Sequence, residues 1–288
     1  MALSSDTTPQ LTAEQVASIL TRPLEAAATF LAAGPQIIDT AGPLRVPAAP
    51  TPLEDTAALD WTGQNELIPE HDPEFDELTL LPSTMKSIKV ITRYSNELAR
   101  QSVVALDAAL RSRLVADVAA KVDAQLYSDE GDGITTPQGM FAWEGTQDVA
   151  VGDALSLDAI LDAQALALGA NVDQSRLRLF LRPGDYMALR AAKDADERYM
   201  LQPDAAQGAT ATVLGLPVVV SPRIPAGRAA LADVSQVVVA RDVMPSVAIL
   251  TERYADYDQQ AIRVVTRYDA APSQPDAVVT FSGIGEAA

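Results

Sequence analysis

The chain has 288 residues, 48% of them hydrophobic, which suffices for one large or two smaller globular domains and excludes a disordered chain. Its 21 basic and 39 acidic side chains give a formal charge of −18, which disfavours binding to nucleic acid phosphates and to anionic membranes. Without cysteine and with a single histidine, His71, the chain is a poor candidate for disulfides, His-based zinc sites and Ser-His-Asp triads. It shows no membrane-spanning apolar run and no signal peptide.

The first predicted element is a helical segment over residues 11–34, with Thr12 as its cap, that is broken or kinked at Pro23. Its apolar side chains require a partner, and two interpretations are open. The segment is either a helical hairpin on the protein's own core or an arm that packs on a neighbouring chain. The side chains concerned are Leu11, Val16, Ile19, Leu20, Leu24, Phe30 and Leu31.

Residues 42–83 are rich in proline and in acids and lie between strand-like pieces at 44–46 and 77–81, the second continued at 87–92. A long loop of this kind inside a compact domain is uncommon and usually functional. The pattern predicts an extended hairpin that projects from the body, with a disordered linker between two domains as the alternative. Its large apolar residues indicate burial, against another chain in the first interpretation. These residues are Trp61, Phe75, Leu78, Leu80 and Leu81.

The longest predicted element is a helix over residues 95–128, with Ser95 as its N-cap and Glu97 in the first turn, where the helix dipole favours an acid. At roughly 1.5 Å per residue it would be about 50 Å long, which predicts a spine to which other parts attach. One apolar stripe follows the helix at spacings of three to five. The stripe consists of Leu98, Val103, Leu106, Leu110, Leu114, Val118, Val122 and Leu126.

Two acidic clusters are interpreted as surface turns. Asp129, Glu130 and Asp132 follow the spine helix, but their spacing does not fit a calcium-binding loop. The acids of the second cluster, at residues 254–258, alternate with tyrosines in a short polar stretch.

Residues 156–240 alternate between helix and strand, which predicts an α+β module with a small sheet. Helices are expected at 156–169, capped by Ser156, and at 183–193. Strands are expected at 176–181, 214–221, 236–240, 247–250, 261–266 and 277–281. In the first helix the side chains expected to point inward are Leu157, Ile160, Leu161, Ala165 and Leu168.

The chain lacks the glycine-rich phosphate loops, the G-x-S-x-G elbow and the H-E-x-x-H motif. Pairs of carboxylates do not indicate a catalytic site here, because the chain contains so many acids. This combination favours a structural assembly protein over an enzyme. An enzyme with a carboxylate-bound metal is the alternative from another class, and metal analysis of the purified protein would discriminate between them.

Several stretches together resemble the major capsid proteins of tailed double-stranded DNA phages, whose fold is shared with encapsulin shells. The similarity extends from about residue 11 to 284 and looks greatest to capsid proteins of phages that infect actinobacteria. It rests on the order and spacing of FDELTLLPSTMKSIKVITRYSNELARQS (75–102), DEGDG (129–133), TTPQGM (135–140), LRPGDYMALRAAKDADERYML (181–201), LGLPVVVS (214–221) and YADYDQQAIRVVTRYDA (254–270).

The resemblance implies the α+β phage major capsid fold in four parts. These are an N-terminal arm (1–41), an extended loop or E-loop hairpin (42–90), a peripheral domain that holds the spine helix (91–144 and 241–268), and an axial domain with a small mixed sheet (145–240 and 269–288). The nearest lysine to the outgoing E-loop strand is Lys86, so we expect non-covalent locking, or cementing by an accessory protein, rather than a covalent link to a neighbour. About ten residues precede the first helix, so a scaffolding segment has been removed or a separate scaffolding protein is used.

The implied function is that of a non-catalytic subunit, without cofactor or metal, that assembles into hexamers and pentamers of an icosahedral head. The head would enclose double-stranded DNA without sequence-specific binding. The implied location is the virion, after assembly in the host bacterial cytoplasm without a membrane, and the implied partners are a scaffolding protein, a portal and a decoration protein. The alternative is an encapsulin-like shell that loads an enzyme cargo. Contacts between subunits are expected from Trp61, Phe75, Leu78, Leu80, Leu24 and Phe30.

Overall fold

The computed structural model describes residues 24, 27–48, 61–65, 76–97, 106–192, 212–242, 246–250 and 252–285. They belong to two compact units. One contains the described residues of Met1–Leu44, Leu81–Ala142 and Val239–Ala270, and the other those of Arg45–Leu80, Trp143–Val238 and Ala271–Ala288. The division into a peripheral and an axial domain, and the boundaries of these domains, stay predictions.

The described residues form an α+β structure. Its α-helices are α1 (Thr29–Ala32), α2 (Leu106–Leu126), α3 (Leu157–Gly169) and α4 (Pro183–Ala191). Its strands are β1 (Gln36–Thr40), β2 (Leu44–Ala48), β3 (Asp76–Leu80), β4 (Ile88–Ser95), β5 (Gln147–Ala150), β6 (Leu177–Leu181), β7 (Thr212–Val213), β8 (Leu216–Val220), β9 (Ala229–Asp233), β10 (Val237–Asp242), β11 (Ser246–Leu250), β12 (Gln259–Thr266), β13 (Tyr268–Pro272) and β14 (Val278–Ser282).

An antiparallel sheet in the order β11-β12-β4 and the helix α2 are the main elements of the first unit. In β12 the buried Ile262 and Val264 alternate with the exposed Arg263, as the period of two in a strand requires. Another three-stranded sheet has the order β1-β10-β13.

The spine helix has the predicted N-cap at Ser95 but ends earlier than predicted. β4 continues through Ser95, which pairs with Gln259 of β12, and helical backbone follows at residues 96–97. Ser95 Oγ accepts a hydrogen bond from the Glu97 N–H at 3.2 Å, as expected of an N-cap. Residues 98–105, including Val103, lie outside the described residues. The 21-residue helix α2 ends at Leu126 rather than at residue 128.

The predicted stripe of α2 is confirmed where side chains are described. Leu114, Val118, Val122 and Leu126 are all buried at a spacing of four. Leu106 and Leu110 lie on the same helix, but their side chains are outside the described part. At about 1.5 Å per residue, the described part of α2 is about 32 Å long.

A mixed six-stranded sheet in the order β5-β14-β9-β6-β8-β7 forms the second unit, with α3 packed on β5, β9 and β14. The central strand β9 is buried at all five residues and was missed in the sequence. Its sequence AALAD has no β-branched residue and no alternation, so only its place between β14 and β6 makes it a strand.

The buried face of α3 corrects the sequence prediction. The helix starts after the predicted cap, since Ser156 accepts a hydrogen bond from the Ala159 N–H. Its inward side chains are Ile160, Ala163, Gln164 and Ala167, whereas Leu161 and Leu168 are 48% and 46% exposed. The helix is apolar on almost every side, so periodicity does not single out one face.

The predicted pairing of the two strands that flank the acidic, proline-rich loop is confirmed. β2 and β3 form a two-stranded sheet, and Arg45 pairs with Glu77 at 3.1 Å. Between these strands the structure describes residues 61–65. No helix in the part of the chain that the structure covers has both the length and the apolar character needed to cross a membrane.

Candidate subunit-assembly site

The N-terminal segment is attached to α2 through a buried carboxylate. Asp123 is 4% exposed, and both of its oxygens accept hydrogen bonds from the start of α1. Oδ2 accepts from the Thr29 N–H at 2.7 Å and from its hydroxyl at 2.8 Å, and Oδ1 accepts from the Phe30 N–H at 3.1 Å. The carboxylate therefore satisfies backbone donors that the short helix leaves without an internal partner.

Aromatic packing extends this attachment by one helical turn. The Phe30 ring meets the Tyr127 ring edge-on at 5.4 Å, and the Thr29 hydroxyl lies 3.2 Å from the Tyr127 hydroxyl. Burial raises the pKa of Tyr127, so the phenol stays neutral and keeps its hydrogen-bonding proton.

Leu24 and Phe30, expected to contact a neighbour, are buried within the chain itself at 0% and 3% exposure. For these two residues the structure favours packing on the protein's own core. A contact with a neighbour through these side chains would require the segment to leave α2, so their intersubunit role stays a prediction. The part of the predicted arm before Leu24 lies outside the described residues.

A second buried carboxylate holds the backbone directly after β3. Asp269 is 3% exposed, and its Oδ2 accepts a hydrogen bond from the Leu81 N–H at 2.8 Å. Its other oxygen lies 3.0 Å from the Ala270 N–H. Burial raises the pKa of Asp269 to about 6, although the two N–H donors favour the charged form. Leu81 itself has φ +51°, a left-handed conformation that is rare for leucine.

Two further hydrogen bonds hold the residues that follow Leu81. Arg267 donates to the Ser87 hydroxyl at 2.6 Å, while the Lys86 N–H donates to the Thr135 carbonyl at 2.9 Å. Met85, directly before Lys86, is buried at 2% exposure. Residues 81–87 are therefore held by Asp269 of β13, by Arg267 directly before β13, and by the loop that follows α2.

The loop after α2 is closed by Asp132. Its carboxylate accepts hydrogen bonds from the backbone N–H groups of Ile134, Thr135 and Thr136 at 3.1, 2.8 and 2.9 Å. These donors hold the pKa of this exposed carboxyl well below its usual range. The interpretation of a turn rather than a cation site agrees with this geometry. No cluster of acids and histidine among the described residues is placed to hold a metal ion.

The E-loop residues differ in how much surface they expose. Trp61 is fully exposed, Leu78 is partly buried and Leu80 is 2% exposed. Phe75 lies outside the described residues. Within the single chain, Trp61 and Leu78 therefore keep surface for another molecule, and Leu80 does not.

Comparison with known proteins decides the family. The family model described as the phage capsid family matches residues 13–283 of this chain. The chain belongs to the phage capsid family. It is accordingly a major capsid structural protein, as the resemblance implied, and the alternative of an encapsulin-like compartment is not favoured. No curated protein sequence matches it.

Solved capsid structures share the fold of this capsid chain over nearly its whole length. The capsid of an empty GTA particle is 18% identical with a TM-score of 0.65, covering 99% of this chain and 96% of the other. Chains from Microbacterium phage Oxtober96 and Mycobacterium phage Bobi are 17% and 16% identical with TM-scores of 0.64 and 0.63, and both comparisons cover 88% of this chain and 90% of the other.

Sequence reasoning missed the two buried carboxylates that position the segments of this capsid protein. Asp123 lies beside the predicted stripe of the spine helix, and Asp269 lies between two strand patterns. An acid flanked by apolar residues on both sides, as in VDA and YDAA, is the one local signal that marks them. Nothing in the local sequence marks Thr29 and Leu81 as the hydrogen-bond partners of these carboxylates.

Proposed function

We propose that this capsid protein assembles with copies of itself into hexamers and pentamers that close into an icosahedral shell around double-stranded DNA. The observation that carries the proposal is the match to the phage capsid family over residues 13–283. No catalytic step is part of this role. Many modest contacts, repeated by symmetry, give the shell its stability.

The E-loop is the proposed contact element between subunits. Its two strands pair with each other, while Trp61 between them is fully exposed. A large exposed aromatic side chain is typical of an interface residue. We propose that Trp61, Phe75 and Leu78 are covered by a neighbouring subunit after assembly.

A scaffolding protein, a portal and a decoration protein are the further proposed partners, with assembly in the host bacterial cytoplasm and the virion capsid as the final location. The acidic chain would line the shell without attracting the DNA phosphates, which leaves the packed DNA free to move.

Electron microscopy of the purified protein, alone and coexpressed with its scaffold candidate, tests the proposal. We expect closed icosahedral shells or free hexamers and pentamers. A uniform monomer or dimer in both preparations would contradict the assembly role.

A further inference from the structure

Three of the chain's four lysines line one cleft of the first unit. The cleft has a volume of about 440 Å³ and lies between β4, α2 and the loop at residues 135–137. Lys89 lines the cleft from β4, Lys86 from the residues just before β4, and Lys121 from α2. The fourth lysine, Lys193, lies in a different part of the sequence.

The cleft is positively charged in a chain of charge −18. None of the described residues that line it is an acid. Each of the three lysines is exposed, and the structure describes no ion pair for any of them. The nearest acids on α2 are engaged elsewhere, Asp117 with Arg113 and Asp123 with Thr29. Three like charges around one cleft repel one another, so a bound anionic group would stabilise the arrangement.

Most of the remaining surface of the cleft is apolar, with Gln125, Thr135 and Thr136 among its polar residues. The apolar wall is contributed by Val90 of β4, by Val122 and Leu126 of α2, and by Pro137. This combination fits a ligand that carries both carboxylates and apolar side chains. A DNA backbone offers phosphates but no apolar group for such a wall, and the charge of the whole chain repels it.

Residues 66–75 of this same chain, ELIPEHDPEF, have the complementary chemistry. They contain four acids and no lysine or arginine, together with the apolar Leu67, Ile68 and Phe75. They belong to the E-loop, between the described residues 61–65 and β3. Their chemistry therefore matches the cleft in charge and in apolar character.

We propose that the lysine cleft of one subunit binds residues 66–75 of a second copy of this chain. The inference rests on the proposed function, since it requires subunits in contact, and it names the surface that receives the E-loop. Identical subunits of charge −18 repel one another. A contact that pairs lysines of one copy with acids of the next offsets this repulsion and fixes the register of the neighbours.

Cross-linking in shells of mixed isotopic composition tests the proposal directly. Unlabelled and ¹⁵N-labelled subunits are assembled together, and a carbodiimide joins carboxylates to the lysine amines that touch them. We expect mass spectrometry to find links between a labelled lysine peptide of the cleft and an unlabelled peptide of residues 66–75. Links only within one isotopic form, or intact shells without such links, would overturn the proposal. Absence of shells would instead contradict the proposed function.

Charge reversal gives an independent test. In the triple variant Lys86→Glu, Lys89→Glu and Lys121→Glu we expect the yield of closed shells to fall by about tenfold or more, because like charges then face each other. Lys193→Glu, which changes the charge of the remaining lysine, should assemble normally. Adding Glu70→Lys, Asp72→Lys and Glu74→Lys to the triple variant should restore assembly. Normal shells from the triple variant would overturn the proposal.

Discussion

Asp269 and Leu81 are 188 positions apart in the chain, yet the carboxylate of the first accepts the backbone N–H of the second at 2.8 Å. This hydrogen bond fixes the backbone at the point where the E-loop returns from β3. Because the carboxylate is buried, its protonation state is linked to the stability of the fold.

Asp269 gives the first prediction, a pH dependence of stability. Its pKa is raised from the usual 3.8 to about 6, so the folded chain binds more protons than the unfolded chain between these values. The free energy of unfolding should therefore fall as pH rises through this window, by about 3 kcal/mol in total from this residue. In Asp269→Asn the fall should disappear, as measured by urea denaturation of the unassembled chain from pH 4 to 7.5.

Asp39 supplies a control of opposite sign. The hydrogen bonds and charge of Arg241 lower the pKa of Asp39, so its stabilising effect is present above pH 3.8 and is lost below it. Asp39→Asn should therefore be less stable than wild type at pH 7 and approach it at acid pH. If Asp269→Asn kept the wild-type slope between pH 4 and 6, the link between Asp269 and stability would be refuted.

The second prediction concerns the attachment of α1 to α2. Asp123→Ala leaves the Thr29 and Phe30 N–H groups without their acceptor, which should lower the free energy of unfolding by about 2 kcal/mol. Asp117→Ala is the matched control, since its carboxylate lies on the same helix but pairs with Arg113 in solvent. Asp117→Ala should change the free energy of unfolding by no more than about 0.5 kcal/mol. Equal effects of the two substitutions in urea denaturation would contradict the role of Asp123.

The third prediction separates folding from assembly at Trp61. Because the side chain is fully exposed in the single chain, Trp61→Ala should change the free energy of unfolding by less than about 0.5 kcal/mol. The assembled shell should nevertheless dissociate at a lower urea concentration, as light scattering would show. Tyr257→Ala removes another aromatic side chain, 75% exposed, and should affect neither measurement. Shells of Trp61→Ala that are as stable as wild type would exclude the proposed contact.

The fourth prediction concerns the whole E-loop tip. Deleting residues 53–66 should leave a folded subunit, because the described anchors of the first unit, Asp123 and Asp269, lie outside the deleted range. Circular dichroism should report the same fold, and electron microscopy should find no closed shells. Normal shells from this deletion would contradict the role proposed for the E-loop.

The fifth prediction concerns the turn after α2. Gly131 has φ +116°, and a Cβ there would lie 2.2 Å from the Pro137 carbonyl oxygen. Gly131→Ala should therefore destabilise the chain by about 2 kcal/mol or more. Gly152→Ala is the control, because a Cβ at that position meets nothing within 4 Å. Similar unfolding midpoints for the two variants would show that this turn tolerates a side chain.

Elements with a local pattern were predictable from the sequence. The spacing of Leu114, Val118, Val122 and Leu126 predicted both the helix α2 and its buried face, since helical periodicity is a property of neighbouring residues. Ser95 and Ser156 were predicted as caps for the same reason, because a cap acts on an N–H two or three residues away. The strands β2 and β3 and the order of the segments that resemble capsid proteins were also recognisable.

Features that depend on distant partners were decided only by the tertiary structure. β9 is a strand because β14 and β6 lie on either side of it, and α3 turns its alanines rather than Leu161 and Leu168 to the sheet. The burial of Asp123 and Asp269 and the gathering of Lys86, Lys89 and Lys121 at one cleft likewise require segments far apart in the chain to meet. Sequence patterns record the periodicity and turn preferences of adjacent residues. Burial and hydrogen-bond partners are set by which surfaces pack together.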